Sequence, residues 1–284
     1  MFTQLKQFFQ GIGDSLKIFL IYDVIFTSEK LQKKLLNCFL LNGLLFLGSI
    51  WIYNKLVFPI MYVLEEKLLL GYLEDITKYM FYLFWLLPMF LICNIVTSFW
   101  IDEIYFESLE IVEHSSYIKI EGQDFVIIVA NQLQRLIIVV IIILQVQIFS
   151  IASKYIPGVF IFKYMTMSIL NSLYVFEYIL LQKYIRDYKT IMHFIETRLF
   201  YFFGFGILLT VMINYVDSFT TNSAIFLMAF PLFLIASVKV NNQRFKDVQI
   251  QKSRLIFFSF IDFIYENLVK MCLNLFTSKP SKKE

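Results

Sequence analysis

Apolar residues in this chain fall into long blocks and do not alternate with polar ones. Two blocks adjoin in the C-terminal third, Leu199 to Val216 and Ser218 to Val238, parted by the single charge of Asp217. A helix needs roughly 17 to 25 residues to cross a bilayer core, so each block is long enough to span or to enter one. Four more runs precede them: Leu35 to Asn54, Tyr79 to Ile101, Leu136 to Ser153, and Tyr155 to Gln182, the last interrupted by Lys163 and Glu177. The pattern predicts an all-α polytopic membrane bundle with about six membrane-embedded segments, some of them half-penetrating.

At both ends the blocks give way to helical amphipathicity. Phe2, Leu5, Phe8, Phe9, Ile12, Leu16 and Phe19 recur at helical spacing with Gln4, Lys6, Gln7 and Gln10 opposite. Such a helix suits the headgroup region or the edge of the bundle. Phe257, Phe260, Ile261, Ile264, Leu268, Met271 and Leu275 repeat the arrangement near the other end, against Ser259, Asp262, Glu266 and Lys270. The organisation expected is therefore an amphipathic region over 1–34, a membrane domain over 35–238, and an amphipathic helix with a basic tail over 239–284. The first residues lack the compact apolar core and small-residue site of a cleavable signal, so the first block is expected to act as an uncleaved anchor.

Composition agrees: 59% of the 284 residues are hydrophobic and only 17% charged, and mean hydropathy is +0.69. That leaves too little polar surface for a water-soluble globule. The net charge of +3 says little, whereas its distribution says more. With six crossings, nineteen Lys and Arg fall in loops on one face and four on the other (Lys55, Lys67, Lys78 and Lys154), while Arg135 and Lys163 lie at membrane depth. The positive-inside rule then assigns both termini to the cytosol.

Motifs of catalysis are missing. Cys38, Cys93 and Cys272 are scattered through apolar surroundings, His114 and His193 stand apart, and the chain has no HExxH, GxSxG, P-loop or dinucleotide glycine fingerprint. No enzyme activity, catalytic residue, metal or cofactor is expected. The bilayer is the expected partner, with no nucleic acid. Asp102, Glu103, Glu107, Glu110 and Glu113 mostly share one side of a helix, which reads as a solvated face, with a cation or a partner's basic surface as the alternative.

Ionisable groups at depth carry more information, because a charge at the bilayer centre costs at least about 2.5 kcal/mol. Arg135 is placed to snorkel to the interface. Lys163 and Glu177 are fourteen residues apart, about 20 Å along one helix, and cannot pair with each other. Glu177 needs water, a proton or another helix. Ser168 and Ser172 form a small-xxx-small pair that permits close helix approach.

A set of landmarks runs in order along almost the whole chain: Gly11-Ile12-Gly13-Asp14-Ser15, Asn42-Gly43, Phe58-Pro59, Trp85-Leu86-Leu87-Pro88, Phe99-Trp100-Ile101-Asp102, Ser172 to Tyr178, Ile195-Glu196, Tyr201 to Gly206, and Phe230 to Ile235. In this order the chain resembles the etoposide-induced protein 2.4 family, endoplasmic-reticulum membrane proteins of autophagy, which is similar in turn to the bacterial CysZ sulfate permeases. The resemblance implies residence in the endoplasmic reticulum and a role in macroautophagy, at the maturation of autophagosomes towards degradative autolysosomes, with proteins of that machinery as partners. The alternative it implies is a CysZ-like anion permease or channel. In that reading Gly204 and Gly206 offer backbone N–H groups to an anion and Arg135 and Lys163 supply positive charge; otherwise the two glycines let helices approach closely. Where the family carries an Asn-Trp-Pro helix start, this chain has Arg198-Leu199-Phe200.

Overall fold

Helix is the only regular structure among the described residues of the computed structural model, which are 2–60, 62–63, 73–113, 141–183, 188–215 and 218–244. The elements are α1 (Phe2–Ser15), a 3₁₀ turn (Leu16–Leu20), α2 (Tyr22–Thr27), α3 (Glu29–Ile60), α4 (Leu73–Phe81) and α5 (Leu87–Glu113). They continue with α6 (Ile141–Ala152), α7 (Val159–Lys183), α8 (Tyr188–Thr197), α9 (Leu199–Ile213) and α10 (Phe219–Arg244). The chain is an all-α membrane protein. Among the described residues α3, Val159–Leu180 of α7 and Thr221–Val240 of α10 are long and apolar enough to cross a bilayer, and the pair Ile191–Thr197 and Leu199–Ile213 qualifies only as a span bent by 94°.

Local chemistry sets the element boundaries. Ser28 is extended, at φ −128° and ψ 117°, and its hydroxyl accepts the Leu31 N–H at 3.2 Å to start α3. Such a cap contributes about 1 kcal/mol. The apolar run expected from Tyr155 becomes helical only at Val159, because Pro157 and Gly158 hold the chain in a turn with Gly158 at φ 93°. The fifth expected segment begins at Leu199 without a proline: the Arg198 carbonyl accepts the N–H groups of Tyr201 at 2.9 Å and Phe202 at 3.1 Å, which starts α9 directly after the bend. The second expected segment falls across α4, a π-helical turn at Tyr82–Leu86, and α5; of the third, residues 136–140 lie outside the described residues and the rest falls on α6.

Helix α3 contains two π-helical stretches, Leu40–Leu47 and Tyr53–Val57. Its buried line is Leu31, Leu35, Cys38, Asn42, Phe46, Ile50 and Tyr53. From Asn42 to Ile50 that line advances four residues at a time, and an ordinary α-helix would rotate it about 40° off the contact at each step. The wider π turn takes up the extra residue and keeps the line facing its neighbours. Leu40, Leu44, Trp51 and Leu56 lie on the exposed side, as a helix facing lipid requires.

Two compact units emerge, one from the described parts of 2–13 and 141–207, the other from those of 14–113 and 208–244. In the second, α10 lies against α5 and the Leu40–Leu47 stretch, while α3 packs on α5. Ile21, Val24, Leu31, Leu35, Cys38, Ile104 and Ile235 form one core cluster; Phe46, Ile50, Leu86, Cys93 and Leu227 form another. Tyr53 stacks on Phe81 at 3.7 Å with the rings 7° from parallel. In the first unit α7 is buried on nearly every side from Thr166 onward, and Phe176 sits edge-on to Phe202 at 5.2 Å and Phe205 at 4.8 Å. Each such pair is worth about 0.5–1.5 kcal/mol beyond the area it buries.

Candidate functional site

Helix α9 carries the densest concentration of landmarks and is built for close approach on two sides. A Cβ on Gly204 would run into the Phe8 carbonyl oxygen and lie 3.0 Å from its carbonyl carbon. One on Gly11 would run into the Tyr201 carbonyl oxygen and lie 2.7 Å from the Phe205 nitrogen. Helices α1 and α9 therefore cross backbone to backbone, with the Phe8 and Phe203 rings beside the crossing at 5.0 Å. On another side a Cβ on Gly206 would collide with the Ser168 carbonyl of α7 and lie 2.7 Å from Ser172 Oγ. Ser172 Oγ donates to the Phe202 carbonyl at 2.5 Å and Ser168 Oγ to the Tyr164 carbonyl at 2.7 Å, so the small-xxx-small pair of α7 meets the second glycine of α9. Both glycines lie inside the helix, where each N–H faces the carbonyl four residues back.

The crossing also fixes how α1 is turned. Gly11 is buried and Phe8 half-buried, while Phe2 is 93%, Phe9 63% and Leu5 45% exposed. Only the edge of the apolar arc is used for packing, and most of it faces outward. That is the arrangement of a helix held by the protein on one side and by lipid on the other.

Glu177 is buried at 2% exposure in α7. Lys163 is half-buried on the same helix, its ammonium 5.6 Å from the centre of the Tyr164 ring. The intervening helix, about 21 Å of rise, keeps the two apart. Arg135, His114 and the amphipathic stretch from Phe257 to Leu275 lie outside the described residues. Among the described residues no group of three or more His, Cys, Asp or Glu side chains is placed to hold a metal.

The second unit gives partners to residues that the sequence pattern named without them. Asn42, fully buried in the first π stretch, donates to the Cys38 carbonyl at 3.0 Å and to Thr97 Oγ1 of α5 at 2.9 Å. Beyond this polar knot, the acidic stretch is joined to α3. Glu107 accepts from Ser28 Oγ and from Lys30, each at 2.7 Å, and Lys34 pairs with Glu103. The Lys30 hydrogen bond, against partial burial and with help from Ser28, holds the Glu107 carboxyl below the ordinary carboxylate range. Lys239 of α10 donates to Asp23 at 2.6 Å and to the Leu20 carbonyl at 3.1 Å, and its hydrogen bond likewise lowers the Asp23 carboxyl. Two acids four residues apart on one helix, facing two lysines four apart on another, was the legible signal for the first pairing.

Residues 18–216 match the family described as sulfate transporter CysZ/etoposide-induced protein 2.4. The chain belongs to this EI24 family. It is 25% identical over 240 residues to the Protein EI24 homolog of Dictyostelium discoideum, covering 83% of this chain and 75% of that protein. It is also 25% identical over 124 residues to the Protein EI24 homolog of Arabidopsis thaliana, covering 38% of this chain and 39% of that one. No solved structure matches the chain. The EI24 match takes in α9 with both glycines, α7 with its two serines, and Asn42 and Thr97, so the α7–α9 crossing and the polar knot lie within the family's matched region, while α1 precedes it.

Proposed function

We propose that this EI24-family protein is a multi-pass protein of the endoplasmic-reticulum membrane, with both termini in the cytosol, that acts in macroautophagy at the maturation of autophagosomes towards autolysosomes. Family membership supports the reading, and one structural observation gives it a physical form. Helix α1 is clamped through Gly11 to α9 while Phe2, Leu5 and Phe9 stay outward. An amphipathic helix so held works as a membrane-organising surface whose orientation is set by the bundle. The amphipathic region 1–34, the membrane domain 35–238 and the region 239–284 divide the work in this reading, with autophagy-machinery proteins meeting the cytosolic ends.

The test is replacement in cells that lack the chain. Wild type is expected to restore conversion of autophagosomes to autolysosomes. A Phe2→Ser/Leu5→Ser/Phe9→Ser variant is expected to reach the same membrane at the same level and fail. Normal conversion without the chain rejects the reading; full rescue by the triple variant rejects the role given to α1.

The anion-permease reading is favoured by one observation, the 94° bend between Ile191–Thr197 and Leu199–Ile213, which makes this pair a broken or re-entrant span. Sulfate flux in proteoliposomes tests it, with Arg135→Gln and Lys163→Gln as variants. Flux that survives both changes excludes these residues as the selectivity charges.

A further inference from the structure

Helices α6 and α7 form a hairpin across the turn at Gly158, and Phe149 and Phe162 face each other in it with ring centroids 6.0 Å apart. Gln145 and Thr166 stand four residues further from the turn, one on each helix, which sets them at the same level of the hairpin, one turn beyond the Phe149–Phe162 pair. Thr166 is only 1% exposed. Its hydroxyl and Gln145 Oε1 are both shut off from solvent, and among the described residues neither has a hydrogen-bond partner. This departs from the habit of the neighbouring hydroxyls. Ser153 and Ser168 in the same hairpin donate to carbonyls of their own chain segment, at 2.8 and 2.7 Å. Buried polar atoms are nearly always paired, and in an apolar interior an unpaired one is strongly disfavoured. Two such atoms at one register of one interface call for a shared partner.

We propose that Gln145 and Thr166 hold a water molecule between α6 and α7, forming a hydrated site within the membrane domain. The amide carbonyl can only accept and the hydroxyl can donate or accept, so a water that donates to Gln145 and accepts from Thr166 satisfies both. If the amide is turned the other way, the water accepts from it and the hydroxyl rotates to match. Nothing charged is required, and nothing larger than one water is needed.

Two measurements on the full-length protein in liposomes and detergent test the site. In the first, Thr166→Cys and Leu170→Cys are treated with a small hydrophilic methanethiosulfonate and read by peptide mass spectrometry at the introduced thiol. Leu170 is buried one turn further along the same face and serves as the dry control. A thiol reacts as its thiolate, which forms where water is present, so Thr166→Cys is expected to react about tenfold faster. In the second, the unfolding temperatures of Gln145→Leu, Thr166→Val and the double variant are compared. If one water serves both groups, the double variant is expected to lose less than the two single losses together, because it leaves no polar atom behind. Equal reaction rates at 166 and 170 overturn the hydrated site. Additive losses overturn the shared partner. Coupled losses with an unreactive thiol reduce the site to a closed side-chain pair, which also overturns the proposal.

Discussion

Gly11 and Gly204 meet so closely that neither position has room for a methyl group: each would be driven into a backbone carbonyl of the opposite helix. Backbone cannot swing aside as a long side chain can. Gly11→Ala and Gly204→Ala are each expected to cost about 1–3 kcal/mol or more, as overpacking does. Gly13 is the control, since a Cβ there meets nothing within 4 Å. Gly13→Ala is expected to stabilise by about 0.4–1 kcal/mol through lost freedom of the unfolded chain. Thermal unfolding in detergent reads all three, and an unperturbed Gly204→Ala would show that the crossing is looser than described.

The Asn42 amide presents a different balance. Its N–H groups serve Cys38 and Thr97, while its Oδ1 is buried with no hydrogen-bond partner among the described residues. Thr97→Val removes the interhelical bond and is expected to cost about 0.6 kcal/mol, the usual value between membrane helices. Asn42→Leu removes the bond and the unmatched carbonyl together, so its cost should be the smaller of the two. A loss from Asn42→Leu more than about 1 kcal/mol above that of Thr97→Val would instead make the amide the main support of the π stretch.

Charge exchange probes the join between α3 and α5. Lys30 is largely exposed, so its pair with Glu107 is worth about 0.2–1 kcal/mol and weakens as salt rises. Glu107→Lys alone is expected to lower stability, because it sets a third lysine near Lys30 and Lys34. Adding Lys30→Glu should recover most of the loss. If the double exchange is no better than the single, Ser28 and not Lys30 is the partner that matters.

Acid should loosen the same region. Asp23 and Glu107 both have carboxyls held below the ordinary range, by Lys239 and Lys30 respectively. A lowered folded-state value means that the unfolded chain binds protons first as pH falls. Their contribution is therefore complete above the ordinary carboxylate range and is lost as pH drops through the folded-state values. Unfolding temperature is expected to fall in that acidic window, and Asp23→Asn/Glu107→Gln should flatten the fall while lowering the plateau. A fall of unchanged steepness in the double variant would place the acid sensitivity elsewhere.

Much of the architecture could be read from one-dimensional pattern, because apolar block length and helix length are set by the same bilayer. The blocks around Leu35, Tyr155 and Ser218 all became long helices, although the expected start at Tyr155 missed the Pro157-Gly158 turn that delays α7 to Val159. Partners were harder. Gly204 and Gly206 could be read as sites of close approach, but Phe8 and Ser168 as the backbones they admit depend on how distant segments pack, which spacing within one helix does not encode. The acidic face of α5 reads as solvated when α5 is considered alone, and it becomes half of an ion-pair ladder only once α3 lies beside it. The bend at Arg198 was hidden for a related reason: Ile191 to Ile213 carries only two charges, Glu196 and Arg198, and hydropathy has no sense of direction.

The widened turns of α3 have a bearing on the shape its neighbours must take. Helices whose contact line drifts are usually kept together by winding around each other, and a repeat longer than 3.6 residues demands a right-handed coil. Helix α3 removes the drift within its own turns, so its buried line stays on α5 and α10 without that winding. What this arrangement makes fragile is residue count: between Asn42 and Ile50, deleting a single position would swing every side chain beyond it by about 100°, turning lipid-facing residues inward and core residues out.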